Sequence, residues 1–479
     1  MLTYSMDAPA DIPLYERLYR HIRDDILNGV LQAGERLPSR RALAEHLRLS
    51  VITVETAYRQ LEAEGYVNIS PRRGAFVAET DRPPAPRHET PSECLCRPPL
   101  GGDVAARRQR GESPSVWKLD LGDNCPDPSC FPTAALARLT RQALSENPEA
   151  LFVPTPNQGL PALRQAVADD LREFRGMSVS PEQILIGAGA EYLYLLLAQL
   201  LPSALFALED PGHLKIRQIY KSCGARFVCL PLDAHGLRMD ALRRSGATAA
   251  HISPAHHYPT GIVTPIGRRH ALLRWAEETG GYLIEDDYDS ELRFSGRPIP
   301  TLQSADRNGR VLYMNTFSQT ISPSLRVGYL ILPPELLETY HENLGFYACT
   351  VPTLEQHVLA RFLSSGQYEQ RLSRLRKICR ARRAAALDAF RVRFAGRVTI
   401  SEQGAGLHFL LRLDTTLSDD ELRRRAESHG VRLRFLSDYA AEPVPAFAHT
   451  LVVNYAGLTP EKLSEAVNAL SDALTDEKV

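Results

Sequence analysis

The first part of the chain carries a strong helical periodicity. Four apolar residues repeat at intervals of four and define one face of a helix that ends at Asn28 and Gly29: Leu14, Leu18, Ile22 and Ile26. The segment LPSRRALAEHL predicts a second helix capped by Ser39, and VITVETAYRQLEAEG predicts a third capped by Ser50. YVNI and AFVA, joined by SPRRG, predict a two-stranded hairpin. Three helices and a hairpin are the plan of a winged helix-turn-helix.

After residue 117 the pattern changes. Apolar runs of strand length alternate with amphipathic helical stretches through residues 118–479, which predicts an α/β domain. The region between the two patterns, residues 80–117, contains seven prolines and little periodicity, so we expect an extended, flexible linker. The sequence thus predicts a small helical domain over residues 1–79, a linker and a large α/β domain.

Two segments of the α/β region place reactive groups at the ends of predicted strands. In QILIGAGAEYLYLLLAQLL, a buried strand enters a helix through a small-residue turn whose N–H groups can hold a phosphate, although such turns often serve only tight packing. In GGYLIEDDYDSELRF, the strand YLI leads into five acids within seven residues. Acid runs are often solvated loops, but ligand sites of open α/β sheets lie at this end of the strands. We therefore expect a binding site there.

Composition and charge restrict the classes of protein that fit. Hydrophobic residues make up 44% of the 479 residues, enough for a large core, and the formal net charge of -1 gives no overall basic field. The acidic N-terminus lacks the apolar stretch of a signal peptide, and no apolar run reaches the length of a membrane span. The eight cysteines, Cys94 and Cys96 among them, are scattered, which indicates reduced thiols of a cytoplasmic protein without a metal; a zinc site is the alternative.

We expect the small N-terminal unit to bind DNA, because a short helix-turn-helix is followed by a basic hairpin tip. Residues 1–79 contain ten arginines, no lysine and eleven acidic residues, so attraction to phosphate has to come from clustered arginines. These arginines are Arg36, Arg40, Arg41, Arg48, Arg72 and Arg73. A small helical dimerisation module is the structural alternative.

These segments resemble the GntR family of bacterial regulators. The resemblance rests on LPSRRALAEHL, SVITVETAYRQLEAEGYV and RRGAFV. It implies contacts with a double-stranded DNA operator at Arg40, Arg41, Ser50, Val51, Thr53, Arg72, Arg73 and Gly74. The chain departs from the family where members commonly carry Ser-Arg-Asn/Thr-Thr, because Val51 and Ile52 fill the two middle places. These apolar side chains can meet a thymine methyl group or pack within the domain.

The α/β region resembles the fold-type I aminotransferases, which use pyridoxal phosphate. Its segments follow the order of that family: GAGAE for the phosphate turn, HHYPTG, EDDYDSE for the ring partners, TFSQTISPSLRVGY for the lysine loop and VVNYAGLTPEKL near the C-terminus. With the GntR-like unit in front, the chain is similar to the MocR/GabR group of transcriptional regulators. The resemblance implies a large α/β domain, a smaller C-terminal α+β part and a homodimer with head-to-tail exchange.

The resemblance also implies a set of cofactor contacts. Asp286 would pair with the pyridine nitrogen, Tyr288 with the ring hydroxyl, and Arg326 with the phosphate through its planar fork of donors. The complete set of implied positions is Gly189, Ala190, Glu191, His257, Asp286, Tyr288, Thr316, Ser318, Gln319 and Arg326.

Three departures from the family pattern bear on the chemistry. Gln319 stands where the family has its Schiff-base lysine, and an amide can neither form an aldimine nor act as a general base near neutral pH. Val452 stands where many members have the arginine that holds the substrate carboxylate, and His213 replaces a common tyrosine. We therefore expect no catalytic residue and no ordinary transamination.

These observations lead to a hypothesis of function. We expect a DNA-binding transcriptional regulator whose inactive aminotransferase-like domain senses noncovalently bound pyridoxal phosphate or an amino compound as its small-molecule effector. Within this class, the alternative is a pocket that is empty or takes another anionic ligand, with Asp286 and Arg326 kept in a structural ion-pair network. From another class, the alternative is an active pyridoxal-phosphate enzyme in which Lys215 supplies the missing amine.

Overall fold

The protein was analysed as a computed structural model that describes residues 2–4, 13–70, 73–78, 117–122, 128–146, 148–293, 299–401 and 406–475. Contacts divide the chain into two compact units, Met1–Glu112 and Ser113–Val479. The predicted linker (apart from its last residue), Arg72, Cys94 and Cys96 lie outside the described residues. Within those ranges, no helix combines the length and apolar character needed to span a bilayer.

The N-terminal unit has the predicted order of elements. Helices α1 (Leu14–Leu27), α2 (Arg40–Leu47) and α3 (Val51–Ala63) precede an antiparallel hairpin of β1 (Val67–Ser70) and β2 (Gly74–Val77). Both predicted caps are confirmed. The Ser39 hydroxyl accepts a hydrogen bond from the N–H of Ala42, at 3.2 Å, and the Ser50 hydroxyl accepts one from the N–H of Thr53, at 3.0 Å. Leu18 is fully buried, whereas the Leu14 side chain is 45% exposed at the start of α1.

The second unit contains helices and strands in alternation. Its helices are α4 (Thr133–Glu146), α5 (Pro161–Asp170), α6 (Ala190–Leu200), α7 (Leu214–Ser222), α8 (Met239–Arg244), α9 (Ile266–Thr279), α10 (Leu302–Ala305), α11 (Pro334–Leu344), α12 (Thr353–Ser364), α13 (Gln367–Arg393), α14 (Asp419–Ser428) and α15 (Pro460–Thr475). Its strands are β3 (Leu119–Asp120), β4 (Ile184–Gly187), β5 (Leu205–Asp210), β6 (Arg226–Asp233), β7 (Gly236–Leu237), β8 (Ala249–Ile252), β9 (Tyr282–Asp286), β10 (Val311–Thr316), β11 (Gly328–Ile331), β12 (Val398–Ser401), β13 (His408–Leu413), β14 (Val431–Arg432) and β15 (Thr450–Asn454).

An eight-stranded sheet forms the centre of the large domain, in the order β4-β11-β10-β9-β8-β5-β6-β7. Its strands are parallel except for β11 and β7. Successive residues of β4 face opposite sides: Ile184 and Ile186 join a core cluster with α4, α5 and α12, whereas Leu185 joins a cluster with α6, α7 and α11. Helices on both faces explain why the strands read as continuous apolar runs.

The C-terminal part has its own core. Strands β12, β13 and β15 form an antiparallel sheet, and β14 pairs in parallel with β3. Phe390 of α13, Phe409 of β13 and Leu470 of α15 belong to the cluster that covers this sheet. The α/β fold with a smaller α+β part is therefore confirmed.

Candidate functional site

A cavity of about 380 Å³ lies at the carboxyl end of the central strands. Asp286 ends β9 and Thr316 ends the adjacent strand β10, so the parallel register brings both residues to the same edge of the sheet. The lining residues are Gly122, Ala190, Glu191, Tyr194, His213, Leu214, Lys215, Ser253, Tyr258, Asp286, Tyr288, Thr316, Ser318, Gln319, Arg326, Arg434, Asp438 and Tyr439. The volume is within the range of roughly 300–1,000 Å³ that is usual for small-molecule sites.

An arginine, a lysine and a carboxylate meet at one wall of the cavity. Arg326 donates to the Glu191 carboxylate and, at 3.3 Å, to the carbonyl oxygen of Ala188. The Lys215 ammonium lies 2.9 Å from the other Glu191 oxygen. Burial raises the pKa of the Glu191 carboxyl, but the hydrogen bonds and charges of Lys215 and Arg326 outweigh it and lower the pKa to about 2. These groups carry one net positive charge, which suits an anion, so we call them, with the hydroxyls of Thr316 and Ser318, the anion-binding wall.

Gly189 makes room for this wall. It precedes α6 with φ +82°, a conformation that favours glycine, and a Cβ added there would lie 2.8 Å from a guanidinium nitrogen of Arg326. Any side chain at this position would push the guanidinium away. Gly189 therefore adjoins Arg326 but does not line the cavity itself, and the implied contact with a phosphate stays a prediction.

Asp286 is held by a chain of buried polar groups. Its Oδ2 accepts a hydrogen bond from the Tyr194 hydroxyl at 2.7 Å and lies 3.4 Å from Nε2 of His251, whose Nδ1 lies 2.9 Å from the Tyr220 hydroxyl. Burial and the charge of Asp286 raise the pKa of Tyr194 well above its ordinary value, so the phenol remains a donor. Both contacts go to Oδ2, and within the described ranges Oδ1 has no hydrogen bond. One carboxylate oxygen is therefore available to a ligand.

Gln319 also lines the cavity. Its amide oxygen is buried and has no hydrogen-bond partner among the described residues. A buried polar atom without a partner is costly, so the protein gains nothing from this oxygen in the packing of its core. Val452, in contrast, is buried in β15 and does not line the cavity.

The two histidines of HHYPTG lie behind the cavity wall. His257 is buried, with Nδ1 2.7 Å from the Thr260 hydroxyl and Nε2 3.5 Å from the Glu209 carboxylate, and burial lowers its pKa to about 3. The next residue, Tyr258, lines the cavity instead. Nδ1 of His256 lies 2.8 Å from Asp289 and 3.2 Å from the hydroxyl of Tyr288.

Nine lining residues were neither predicted as cofactor contacts nor named as the alternative amine: Gly122, Tyr194, His213, Leu214, Ser253, Tyr258, Arg434, Asp438 and Tyr439. Two carried a usable signal. Tyr194 follows Ala190 by one helical turn, which places both on one face of α6, and Tyr258 directly precedes the Pro-Thr-Gly of a quoted motif. Arg434 carried none, because it reaches the cavity through packing between distant parts of the sequence.

The N-terminal unit presents a second candidate surface at the start of α3. Val51 and Ile52 are 43% and 75% exposed, so both reach the surface of this unit. The hydroxyls of Ser50 and Thr53 lie 2.8 Å apart at the helix cap. Arg40 pairs with Glu55 at 3.0 Å, whereas Arg41 is exposed.

At the hairpin, the guanidinium of Arg36 lies against Gly74: a Cβ added there, where φ is +114°, would lie 3.1 Å from its Nε. Arg73 directly precedes Gly74 at the tip. The described wing thus brings two of the predicted arginines together at one place.

Comparison with known proteins identifies both units. Residues 14–77 match the bacterial regulatory proteins of the gntR family, and residues 115–470 match the aminotransferases of class I and II. The chain is 32% identical to the probable rhizopine catabolism regulatory protein MocR of Rhizobium meliloti, over 98% of this chain and 95% of that protein. It is a GntR-family transcriptional regulator of the MocR type.

Two further matches agree with this assignment. The pyridoxine biosynthesis transcriptional regulator PdxR of Corynebacterium glutamicum is 34% identical, over 88% of this chain and 89% of that protein. Among solved structures, the α-aminoadipate aminotransferase LysN of Thermus thermophilus superposes with a TM-score of 0.68 at 28% identity, covering 78% of this chain and 97% of that one. That enzyme was solved with N-(5′-phosphopyridoxyl)-L-leucine. This regulator thus joins a DNA-binding unit to an aminotransferase-like fold.

Proposed function

We propose that the aminotransferase-like domain of this regulator binds pyridoxal phosphate noncovalently, and that the occupancy of its cavity controls DNA binding by the winged unit. The observation that carries the proposal is Gln319. It lines the cavity beside the anion-binding wall and Asp286, with a buried amide oxygen that lacks a partner in the described ranges. An amide cannot condense with an aldehyde, so binding there proceeds without a bond to this residue.

The residues present fit the cofactor. Arg326 offers a planar fork of donors for the phosphate, next to the turn that Gly189 keeps open. The free oxygen of Asp286 would accept from a protonated ring nitrogen, and Tyr288, which lines the same cavity, would bond the ring hydroxyl. When bound, pyridoxal phosphate supplies an aldehyde that reacts with amines. The match to a regulator named for pyridoxine biosynthesis supports this choice of ligand.

Regulation requires that the ligand bind two states of the protein with different affinities. We infer that ligand binding to the cavity selects one arrangement of the winged units. The ligand-bound and ligand-free forms of the wild-type protein should then differ in affinity for a DNA sequence enriched from a random library. Equal affinities with and without saturating pyridoxal phosphate would contradict this part of the proposal.

One observation favours a second function. Of the six lysines in the sequence, Lys215 is the one that lines the cavity within the described residues. A covalent enzyme could use its amine in place of the residue at 319. Against this, the ammonium is paired with Glu191 at 2.9 Å, and an ammonium in an ion pair has no free electron pair for attack.

Borohydride trapping separates the two functions. The full-length protein is mixed with pyridoxal phosphate, its visible absorption is recorded, and the mixture is reduced and weighed intact. We expect denaturation to release the pyridoxal phosphate, and we expect the intact mass to show no adduct at a single lysine. A stoichiometric adduct at Lys215 would establish the enzyme alternative instead.

The matched variant is Gln319→Lys, which restores an amine at the cavity wall. We expect it to gain a reducible covalent adduct, because the phosphate and ring contacts are retained. A Gln319→Lys protein that folds but forms no adduct would show that the cavity does not accept the cofactor.

We also propose a head-to-tail homodimer, through which the regulator reads two DNA half-sites. Two exposed apolar stretches support an interface on the large domain: Phe152 is 90% exposed and Phe346 is 76% exposed. Hydrogen bonds hold their segments side by side, from Asn157 to the carbonyl of Gly345 at 3.0 Å and between Thr155 and Thr353 at 2.6 Å. A patch of this kind indicates a protein contact surface.

A further inference from the structure

Arg434 is a charged residue of the cavity wall that the proposed mode of cofactor binding does not use. It lies between β14 and the 3₁₀ turn Leu436–Tyr439, on the C-terminal part of the domain. Its charge influences the phenols of Tyr258 and Tyr439, whose hydroxyls lie 2.7 Å apart at the same cavity. Arg434 and the two tyrosines thus form a different wall of the cavity from Arg326, Glu191 and Lys215.

Other charged groups that line the cavity have a hydrogen-bond or ion-pair partner. Glu191 is paired with Arg326 and Lys215, and Asp286 accepts a hydrogen bond from Tyr194. Asp438 is paired with Arg423 at 2.8 Å and accepts from the N–H of Phe435 at 2.9 Å. In the part of the chain that the structure describes, the guanidinium of Arg434 has neither a hydrogen bond nor an ion pair. A cation at a cavity wall without a counter-charge is a site for an anionic group.

The surrounding backbone makes room for this arginine. A Cβ at Gly122 would lie 2.1 Å from Cγ of Arg434, so only the missing side chain of Gly122 lets the arginine stem pass into the cavity. The carbonyl oxygen of Arg434 accepts from the N–H of Val452 at 2.9 Å. Arg434 is therefore a direct backbone neighbour of the valine that occupies the family's carboxylate-arginine position.

We propose that Arg434 binds the carboxylate of an effector, so that the cavity recognises a carboxylate-bearing amino compound next to pyridoxal phosphate. The inference rests on the proposed function, because it takes the anion-binding wall of Arg326 for the phosphate. It names the ligand class that the domain senses and the residue that selects it. The tyrosine hydroxyls at the same wall provide further donors for the second carboxylate oxygen.

Two stable conjugates that differ only in a carboxylate test this assignment: N-(5′-phosphopyridoxyl)-L-alanine and N-(5′-phosphopyridoxyl)ethylamine. Neither needs a protein lysine, and binding of each to the full-length protein is measured by calorimetry, with pyridoxal phosphate as third ligand. We expect the wild type to bind the alanine conjugate about 10-fold more tightly than the ethylamine conjugate, as a charge-assisted hydrogen bond provides. In Arg434→Gln, we expect this ratio to fall below about 2-fold, with ethylamine-conjugate affinity retained.

Arg432→Gln is the matched control. Arg432 lies two residues away, is paired with Asp120 at 3.5 Å and does not line the cavity, so the ratio should remain that of the wild type. Arg434→Met keeps the apolar stem and serves as the second variant if Arg434→Gln does not fold.

Three outcomes would overturn the inference. A wild-type ratio near one, or an unchanged ratio in a folded Arg434 variant, would show that this residue does not bind the carboxylate, while binding of pyridoxal phosphate would leave the proposed function standing. If the wild type binds neither pyridoxal phosphate nor either conjugate, the proposed function falls and this inference falls with it.

Discussion

At the scale of single residues, Glu191 acts as a carboxylate of the protein itself at the place proposed for a phosphate. It pairs with both Arg326 and Lys215, and its pKa of about 2 keeps it charged at every pH near neutrality. A phosphate that approaches Arg326 has to share the guanidinium with this carboxylate or displace it. The cavity wall is thus stable without a ligand, and ligand affinity is limited by the like charge.

Replacing Glu191 tests this competition. Glu191→Gln removes the negative charge and keeps the shape of the side chain, so we expect pyridoxal phosphate to bind more tightly. The expected gain is roughly 3- to 10-fold, because the charge pair is partly exposed. Tryptophan fluorescence or calorimetry at neutral pH measures the change. The control is Glu182→Gln, which neutralises an exposed carboxylate that pairs with the buried Arg164, away from the cavity. Weaker binding in Glu191→Gln would mean that the carboxylate positions Arg326 rather than competing with the phosphate.

The same scale shows how far the sequence could predict the site. The strand-end pattern pointed to the turn before Ala190 and to the acid run that contains Asp286, because strand ends meet at one edge of a parallel sheet. Thr316 and Gln319 were implied by the family resemblance alone. Arg434 could not be predicted, because its place beside the cavity depends on the packing of the C-terminal part against the large sheet.

At the scale of elements, we expect DNA to meet the apolar start of helix α3 and a basic residue of the neighbouring helix α2. Ile52 is 75% exposed although it belongs to a helix with a buried face, which favours contact with a partner over packing within the domain. Arg41 of α2 is exposed and has no ion pair within the described residues. The two side chains are expected to contribute differently, one to base recognition and one to phosphate attraction.

Salt dependence distinguishes these two contributions. We expect Arg41→Ala to weaken binding to an enriched DNA sequence and to lower the slope of log affinity against log salt by about 1, because one phosphate contact is lost. We expect Ile52→Ala to weaken binding to that sequence without a change in slope. Fluorescence anisotropy at several salt concentrations measures both, and Val30→Ala, 65% exposed outside α3, is the control. An Ile52→Ala protein with wild-type affinity would exclude a contact between this side chain and a base.

Elements also show what periodicity can and cannot predict. The intervals of four in α1 and the capping serines of α2 and α3 predict those helices well, since both signals are local. The acid run after YLI was open to two interpretations, and the structure buries Glu285, Asp286, Asp287 and Asp289. Their burial depends on partners from distant segments, such as Arg175 for Asp287, which no local pattern reveals.

At the scale of the whole molecule, the exposed apolar stretches around Phe152 and Phe346 predict the interface of the proposed homodimer. Phe346→Asp places a charge in this patch, so we expect a shift from dimer to monomer and a loss of binding to DNA with two half-sites. Sedimentation velocity and mass photometry measure the change. Val392→Asp is the control, because Val392 is 81% exposed on α13, outside the patch. A Phe346→Asp protein that remains a dimer would exclude this face.

The large domain also carries buried carboxyls that make its stability depend on pH. Burial raises the pKa of Glu209 to about 8 and those of Glu285 and Glu291 to about 7. The folded state therefore binds more protons than the unfolded state between the ordinary carboxyl pKa and these values. The stabilising effect is complete below the ordinary pKa and is lost as the pH rises through about 7 to 8.

The lowered pKa values of the buried His257 and His408 act in the opposite direction, but only below the ordinary histidine pKa of about 6.5. We therefore expect the free energy of unfolding to fall between about pH 6.5 and about pH 8, which denaturant titrations at a series of pH values across this range would measure. In the wild type, a carboxyl oxygen of Glu209 accepts a hydrogen bond from the N–H of Ser253 at 2.8 Å. Glu209→Gln keeps an oxygen that can accept this hydrogen bond, but its side chain cannot ionise. Its stability should therefore fall less steeply with pH than that of the wild type. Glu338→Gln, at an exposed position of α11, should follow the wild type. Parallel curves for the wild type and Glu209→Gln would mean that this carboxyl titrates alike in the folded and unfolded states.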